Sequence, residues 1–166
     1  MKSKQITLKS RPIGVPQTTD FEMVEVEACA PDVGEVLVEN VFMSVDPYMR
    51  GRMREAWGPG DVLEGGAIGR ILESGFDGLQ AGDFVSHGMG WREHATMPGK
   101  ACSKVDPDLA PLQAYLGVMG MPGLTAYGGL LVTGQYKDGE TVFVSAASGA
   151  VGSVVGQIAR IKGSKH

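Results

Sequence analysis

Seven residues near the end of the chain, Ala146-Ala147-Ser148-Gly149-Ala150-Val151-Gly152, have the types and spacing to hold a phosphate. Set against the pattern G-x-G-x-x-G they match at Gly149 and Gly152, with Ala147 where the first glycine would stand. Glycines at such points let backbone come close to a pyrophosphate. A helix beginning there offers free N–H groups and a partial positive charge. A strand-like run, Thr141 to Ser145, precedes the turn and a helix-like run follows it, which is the order this chemistry requires. Gly152 and Gly156, four apart, would share a helix face and let that helix approach a sheet. A glycine-rich packing turn that holds no ligand is the alternative reading.

Other residues carry weaker signals. His87 and His94 fall on neighbouring strand-like runs with a glycine turn between them, so they could approach each other, but no third metal ligand is evident. Cys29 and Cys102 are the only cysteines, and no motif surrounds either. They read as buried small hydrophobes in a reducing compartment, not as nucleophiles or a disulfide framework. Arg50, Arg52 and Arg54 form the one basic cluster and read as a solvated turn. His166 is expected to be a disordered end.

The elements that must position these residues change in texture along the chain. KQITLK (4–9), FEMVEVEACA (21–30), EVLVENVFMSV (35–45), AIGRILES (67–74), DFVSHG (83–88), WREHATM (91–97) and CSKV (102–105) all read as strands. Short strands with local turns at this spacing predict a small barrel or sandwich. A turn is expected at DPYMRGRM (46–53). Residues 110–120 and 122–132 read as helices, with Pro122 in a first turn and Gly128-Gly129 as a site of close packing. The β-α unit of the glycine turn comes last. The boundary is placed near 121, giving a first domain at 1–121 and the start of a second at 122–166.

Composition sets the outer limits. The chain has 166 residues and a formal net charge of −4, with its 15 basic residues scattered, which argues against a nucleic-acid or anionic-membrane surface. No run approaches the roughly 18 apolar residues of a membrane span, and the N-terminus lacks the apolar core of a signal peptide. The cytoplasm is the expected location.

Three motifs, DPYMRGRM (46–53), MGMPGLTAYGGL (119–130) and GETVFVSAASGAVGSVVGQIARIKG (139–163), closely resemble the medium-chain dehydrogenase/reductase superfamily. Within it they resemble the zinc-independent branch of prostaglandin reductases and alkenal double-bond reductases. The resemblance runs from about Gln5 to Gly163 and implies a fold of mixed β and α/β type: a GroES-like β-barrel domain followed by the first β-α unit of a Rossmann domain. It implies NADP as cofactor and reduction of the carbon–carbon double bond of α,β-unsaturated aldehydes and ketones, with a homodimer allowed. By matching positions, Gly149, Ala150, Val151 and Gly152 would line the pyrophosphate. Met121 and Thr125 would touch the nicotinamide end, and Tyr48 would face the substrate and serve catalysis. Packing alone is the other reading for Tyr48 and Met121, and a back-bond within its own helix for Thr125. Ser44 stands where zinc-dependent relatives carry a ligand cysteine, and no metal is expected.

Members of that family run to about twice this length, so this chain is expected to be inactive alone. A quinone or carbonyl reductase of the same superfamily is one alternative. A truncated, non-catalytic protein is another.

Overall fold

The computed structural model describes residues 1–164; Lys165 and His166, and with them the expectation of disorder at His166, lie outside the described residues. The chain divides into two compact units, Met1–Leu112 and Gln113–His166.

In the first unit, alternating Val and Glu build the expected strands. They are β1 (Lys2–Leu8), β2 (Phe21–Glu27), β3 (Glu35–Met43), β4 (Ala67–Ser74), β5 (Phe84–His87), β6 (His94–Pro98) and β7 (Ser103–Val105). β1 and β2 pair antiparallel, and the other five form a sheet in the order β6-β3-β4-β5-β7. β1 joins the rest through its free edge. Ile6 N donates to Trp91 O at 2.8 Å, Glu93 N to Lys4 O at 2.8 Å, and Leu63 N to Ile6 O at 3.0 Å.

Two clusters fill the interior. Val36, Val38, Ile71, Val85, Ala95 and Met97 pack under the five-stranded sheet. Leu8, Met49, Met53, Trp57 and Leu63 pack beside β1. Each fully buried aliphatic side chain contributes about 1.5–3 kcal/mol. The segment expected as a turn at 46–53 holds a short helix, α1 (Tyr48–Arg52), because Met49 and Met53, four apart, both drop into the second cluster.

The second unit is helical. Leu112–Leu116 forms a 3₁₀ helix, shorter than the helix expected over 110–120. α2 (Met121–Tyr127) begins with Pro122 in its first turn, as expected, and widens into a π-helical stretch over Gly128–Thr133. Gly123 is required: a Cβ there would fall on the carbonyl oxygen of Val118. Among the described residues, a Cβ at Gly128 or Gly129 meets nothing within 4 Å, so the close packing expected there is not made by them. α3 (Gly152–Ile161) packs on α2.

The expected strand over Thr141 to Ser145 does not form; residues 141–144 hold no regular secondary structure, and Phe143 is 90% exposed. A parallel strand needs neighbours on its edges, and the described residues supply none here. Among the described residues no helix is long and apolar enough to cross a membrane.

Candidate functional site

Tyr48 and the glycine turn lie in different units, and each is described on its own. Tyr48 opens α1 and is 41% exposed. Met49, the next residue, is buried, so the core holds the helix while the phenol stays accessible. The segment leading to it is tied down. Ser44 N donates to Gly66 O at 2.8 Å and Ser44 Oγ donates to Asp46 Oδ2 at 2.6 Å.

Arg52 sits one turn after Tyr48. Its guanidinium lies 5.2 Å from the Tyr48 ring centre and 5.7 Å from that of Trp57. Its Nη1 meets Glu64 Oε2 at 3.0 Å. The Tyr48 phenol is held above the ordinary tyrosine range. Partial burial is the main cause, the Asp46 carboxylate adds to it, and the Arg52 cation opposes it. The hydroxyl therefore stays protonated at neutral pH and acts as a hydrogen-bond donor.

Arg50, Arg52 and Arg54 are not simply solvated. Arg50 Nη2 donates to Gly14 O at 2.8 Å and to Pro12 O at 3.3 Å, and Arg11 donates to the carbonyls of Met53 and Arg54. The cluster clamps the 11–14 loop onto the end of α1. Arg52, Trp57 and Glu64 were not expected at the site. The four-residue spacing of Tyr48 and Arg52 in a helix is the signal that would have found the first of them.

The histidines do not form a ligand pair. His87 is on β5 and His94 on β6, and the sheet order puts β3 and β4 between those strands. Among the described residues no group of three or more His, Cys, Asp or Glu side chains is placed to hold a metal ion. His94 Nδ1 lies 3.3 Å from Ser3 Oγ. Cys29 is exposed rather than buried, and Cys102 is partly buried with its thiol pushed up by burial.

His87 is buried, and its Nδ1 accepts a hydrogen bond from Met89 N at 3.1 Å. Burial, helped by the nearby Arg92 cation, pushes its pKa down from 6.5 to about 4. Between those values the unfolded chain binds a proton that the folded chain refuses. Stability is therefore full above about pH 6.5 and falls as pH drops toward 4, by about 3 kcal/mol in all. Urea unfolding at pH 7 and pH 4.5 will show this loss in the first unit, and His87→Leu will remove that part of the slope.

In the second unit, Gly149 N donates to Ala146 O at 3.0 Å and Ser153 N to Gly149 O at 2.9 Å, so the turn runs directly into α3. Ala146, Ala147, Ser148, Gly149 and Ala150 are small and exposed, and the first turn of α3 carries no acidic residue. A Cβ at Gly152 would fall on the Ala146 carbonyl oxygen, whereas one at Gly156 meets nothing within 4 Å. Gly152, not the Gly152–Gly156 pair, is the close approach, and it is made to the turn. The helix start is thus open to an anion, and these residues fit the phosphates of a dinucleotide. Met121 begins α2 and is 54% exposed. Thr125 Oγ1 donates to Met121 O at 2.8 Å, the back-bond within its own helix.

A β-barrel unit followed by helices that open on a glycine turn is the layout of the N-terminal part of a medium-chain dehydrogenase/reductase. Residues 4–105 match the family model described as the N-terminal domain of oxidoreductase. The chain belongs to this oxidoreductase family, within the medium-chain dehydrogenase/reductase superfamily. It is 46% identical to prostaglandin reductase 1 of Bos taurus, over 98% of this chain and 50% of that protein. It is 41% identical to the NADP(+)-dependent 2-alkenal reductase of Nicotiana tabacum, over 98% of this chain and 51% of that one. The crystal structure of CurA in complex with NADPH from Vibrio vulnificus superposes with a TM-score of 0.89 at 40% identity, covering 97% of this chain and 50% of that one. The chain spans about half the length of the curated relatives it matches.

Proposed function

We propose that the protein containing this chain is an NADPH-dependent reductase of the carbon–carbon double bond in α,β-unsaturated aldehydes and ketones. The observation that carries the reading is the likeness to the NADP(+)-dependent 2-alkenal reductase over nearly the whole chain, and the likeness to the NADPH complex of CurA supports the cofactor. The open start of α3 agrees with it. In this reading Gly149, Ala150, Val151 and Gly152 line the pyrophosphate, and the Gly149 N–H, bonded to Ala146 O, braces the turn. Met121 and Thr125 flank the nicotinamide end.

The dinucleotide, when bound, supplies a hydride for the β-carbon of the substrate. Tyr48 acts on the carbonyl. Its protonated hydroxyl donates to the oxygen, draws electron density from the double bond, and stabilises the charge that gathers there. The α-carbon then takes a proton. Tyr48 is a poor free acid, so its part is to hold the carbonyl and join a proton relay.

Turnover of an enal with NADPH tests the reaction. The saturated aldehyde is the expected product. An allylic alcohol, turnover of quinones alone, or nucleotide binding without turnover would replace the reading. Tyr48→Phe is expected to lower kcat about 10- to 100-fold with nucleotide affinity unchanged. An unchanged kcat would leave Tyr48 as a packing residue.

A further inference from the structure

We infer that Arg52 is a positioning residue for Tyr48, holding the phenol ring and its hydroxyl in place through a guanidinium anchored on Trp57 and Glu64. The inference rests on the proposed role of Tyr48 in carbonyl reduction.

The chain of contacts runs outward from the core. Trp57 is 6% exposed and belongs to the buried cluster with Met49 and Leu63, so its ring is a fixed wall. The Arg52 guanidinium lies over that ring at 5.7 Å and over the Tyr48 ring at 5.2 Å. Arginine's flat cation suits the faces of both rings, which lysine's ammonium cannot match in shape. The ion pair to Glu64 at 3.0 Å, half exposed, gives the guanidinium a second partner beside the Trp57 ring. Tyr48 is the first residue of a five-residue helix and is 41% exposed even with Arg52 in place, and without Arg52 its ring would have no anchored cation beside it.

The same arrangement sets the charges around the hydroxyl. Asp46 and Glu64 oppose its ionisation, and Arg52 favours it, together with a hydrogen bond from the Gly66 backbone. Arg52 is the cation among the charged side chains that act on this phenol. It therefore touches both the geometry and the acidity of the group, and the two effects are separable.

The experiment uses the protein labelled with 3-fluorotyrosine, whose phenol is more acidic than that of tyrosine. The Tyr48 resonance is assigned by its loss in Tyr48→Phe. In Arg52→Met the ¹⁹F titration of Tyr48 is expected to move to higher pH. kcat for enone reduction is expected to fall roughly tenfold with nucleotide KM unchanged. Arg52→Lys, which keeps the charge and loses the flat face, should restore the titration but not kcat. A Tyr48 resonance that titrates alike in the wild type and in Arg52→Met overturns the inference, whatever the rates do. So does a shifted titration with unchanged kcat where Tyr48→Phe itself is slow. If Tyr48→Phe leaves kcat untouched, the reductase role of Tyr48 fails, and a shifted titration in Arg52→Met still establishes the contact.

Discussion

Gly152→Val will weaken NADPH binding by at least about tenfold, while Gly156→Ala will leave it unchanged. The two glycines look alike in sequence, four residues apart on one helix. Their surroundings differ. Any Cβ at Gly152 falls on the carbonyl oxygen of Ala146 and comes within 3.1 Å of Val144 Cγ1. The backbone of the turn must then move, and it is the same backbone that would face the phosphates. A phosphate bonded by several N–H groups at a helix start loses them together when the turn shifts, and each such charge-assisted bond is worth about 1.5–3 kcal/mol. At Gly156 a methyl group enters open space, and the helix gains up to about 1 kcal/mol in propensity. Calorimetric titration with NADPH, with circular dichroism to confirm helix content, checks both. Equal affinity in wild type and Gly152→Val, with α3 intact, would remove the turn from the cofactor site.

Gly69→Ala will destabilise the first unit by about 3 kcal/mol. Gly69 lies mid-strand in β4, opposite Asn40 on β3 and Val85 on β5. An added Cβ would run into Val38 Cγ1, come within 2.8 Å of Glu39 O, and crowd His87 Nε2 at 3.2 Å. None of these can withdraw freely. Val38 is 0% exposed and β-branched, Glu39 O is backbone, and His87 is buried. Trp57 and Trp91 are the chain's two tryptophans and both belong to this unit, so urea unfolding followed by their fluorescence reports on it directly. A loss below about 0.5 kcal/mol would mean that the sheet relaxes around position 69 at little cost.

These two glycines also mark where sequence reasoning succeeds and where it stops. The strands were legible because Val24, Val26, Val36 and Val38 alternate with Glu and other residues at period two, and that alternation survives any arrangement of the sheet. The start of α2 was legible because Pro122 fits only the first turn. What was not legible depends on which elements become neighbours. His87 and His94 are close in sequence, but the order β6-β3-β4-β5-β7 sends their strands to opposite sides of β3 and β4. Thr141 to Ser145 has strand-like residues but no adjoining strands among those described. The helix at Tyr48–Arg52 is one turn long, too short for periodicity to show, and Arg52 and Trp57 meet only because Met49 and Met53 bury their shared face. The glycine turn was legible as a pattern. The distinction between Gly152 and Gly156 was not, since both are glycine on the same face.

The edge of β1 has a consequence for how the chain is made. Lys4 N reaches Glu93 Oε2 at 2.8 Å across a separation of 89 residues, and Ile6 binds the backbone at Trp91. Contacts this distant in sequence slow folding, because the loop must close before the bonds that reward it exist. On a ribosome adding roughly 5–20 residues per second, β1 would pair with β2 early. Residues 61–63 would reach its other edge next, and that edge would stay incomplete for several seconds until residues 91–93 emerge. The barrel closes late, and β1, made before β2 to β7, is among the last strands to be fully bonded.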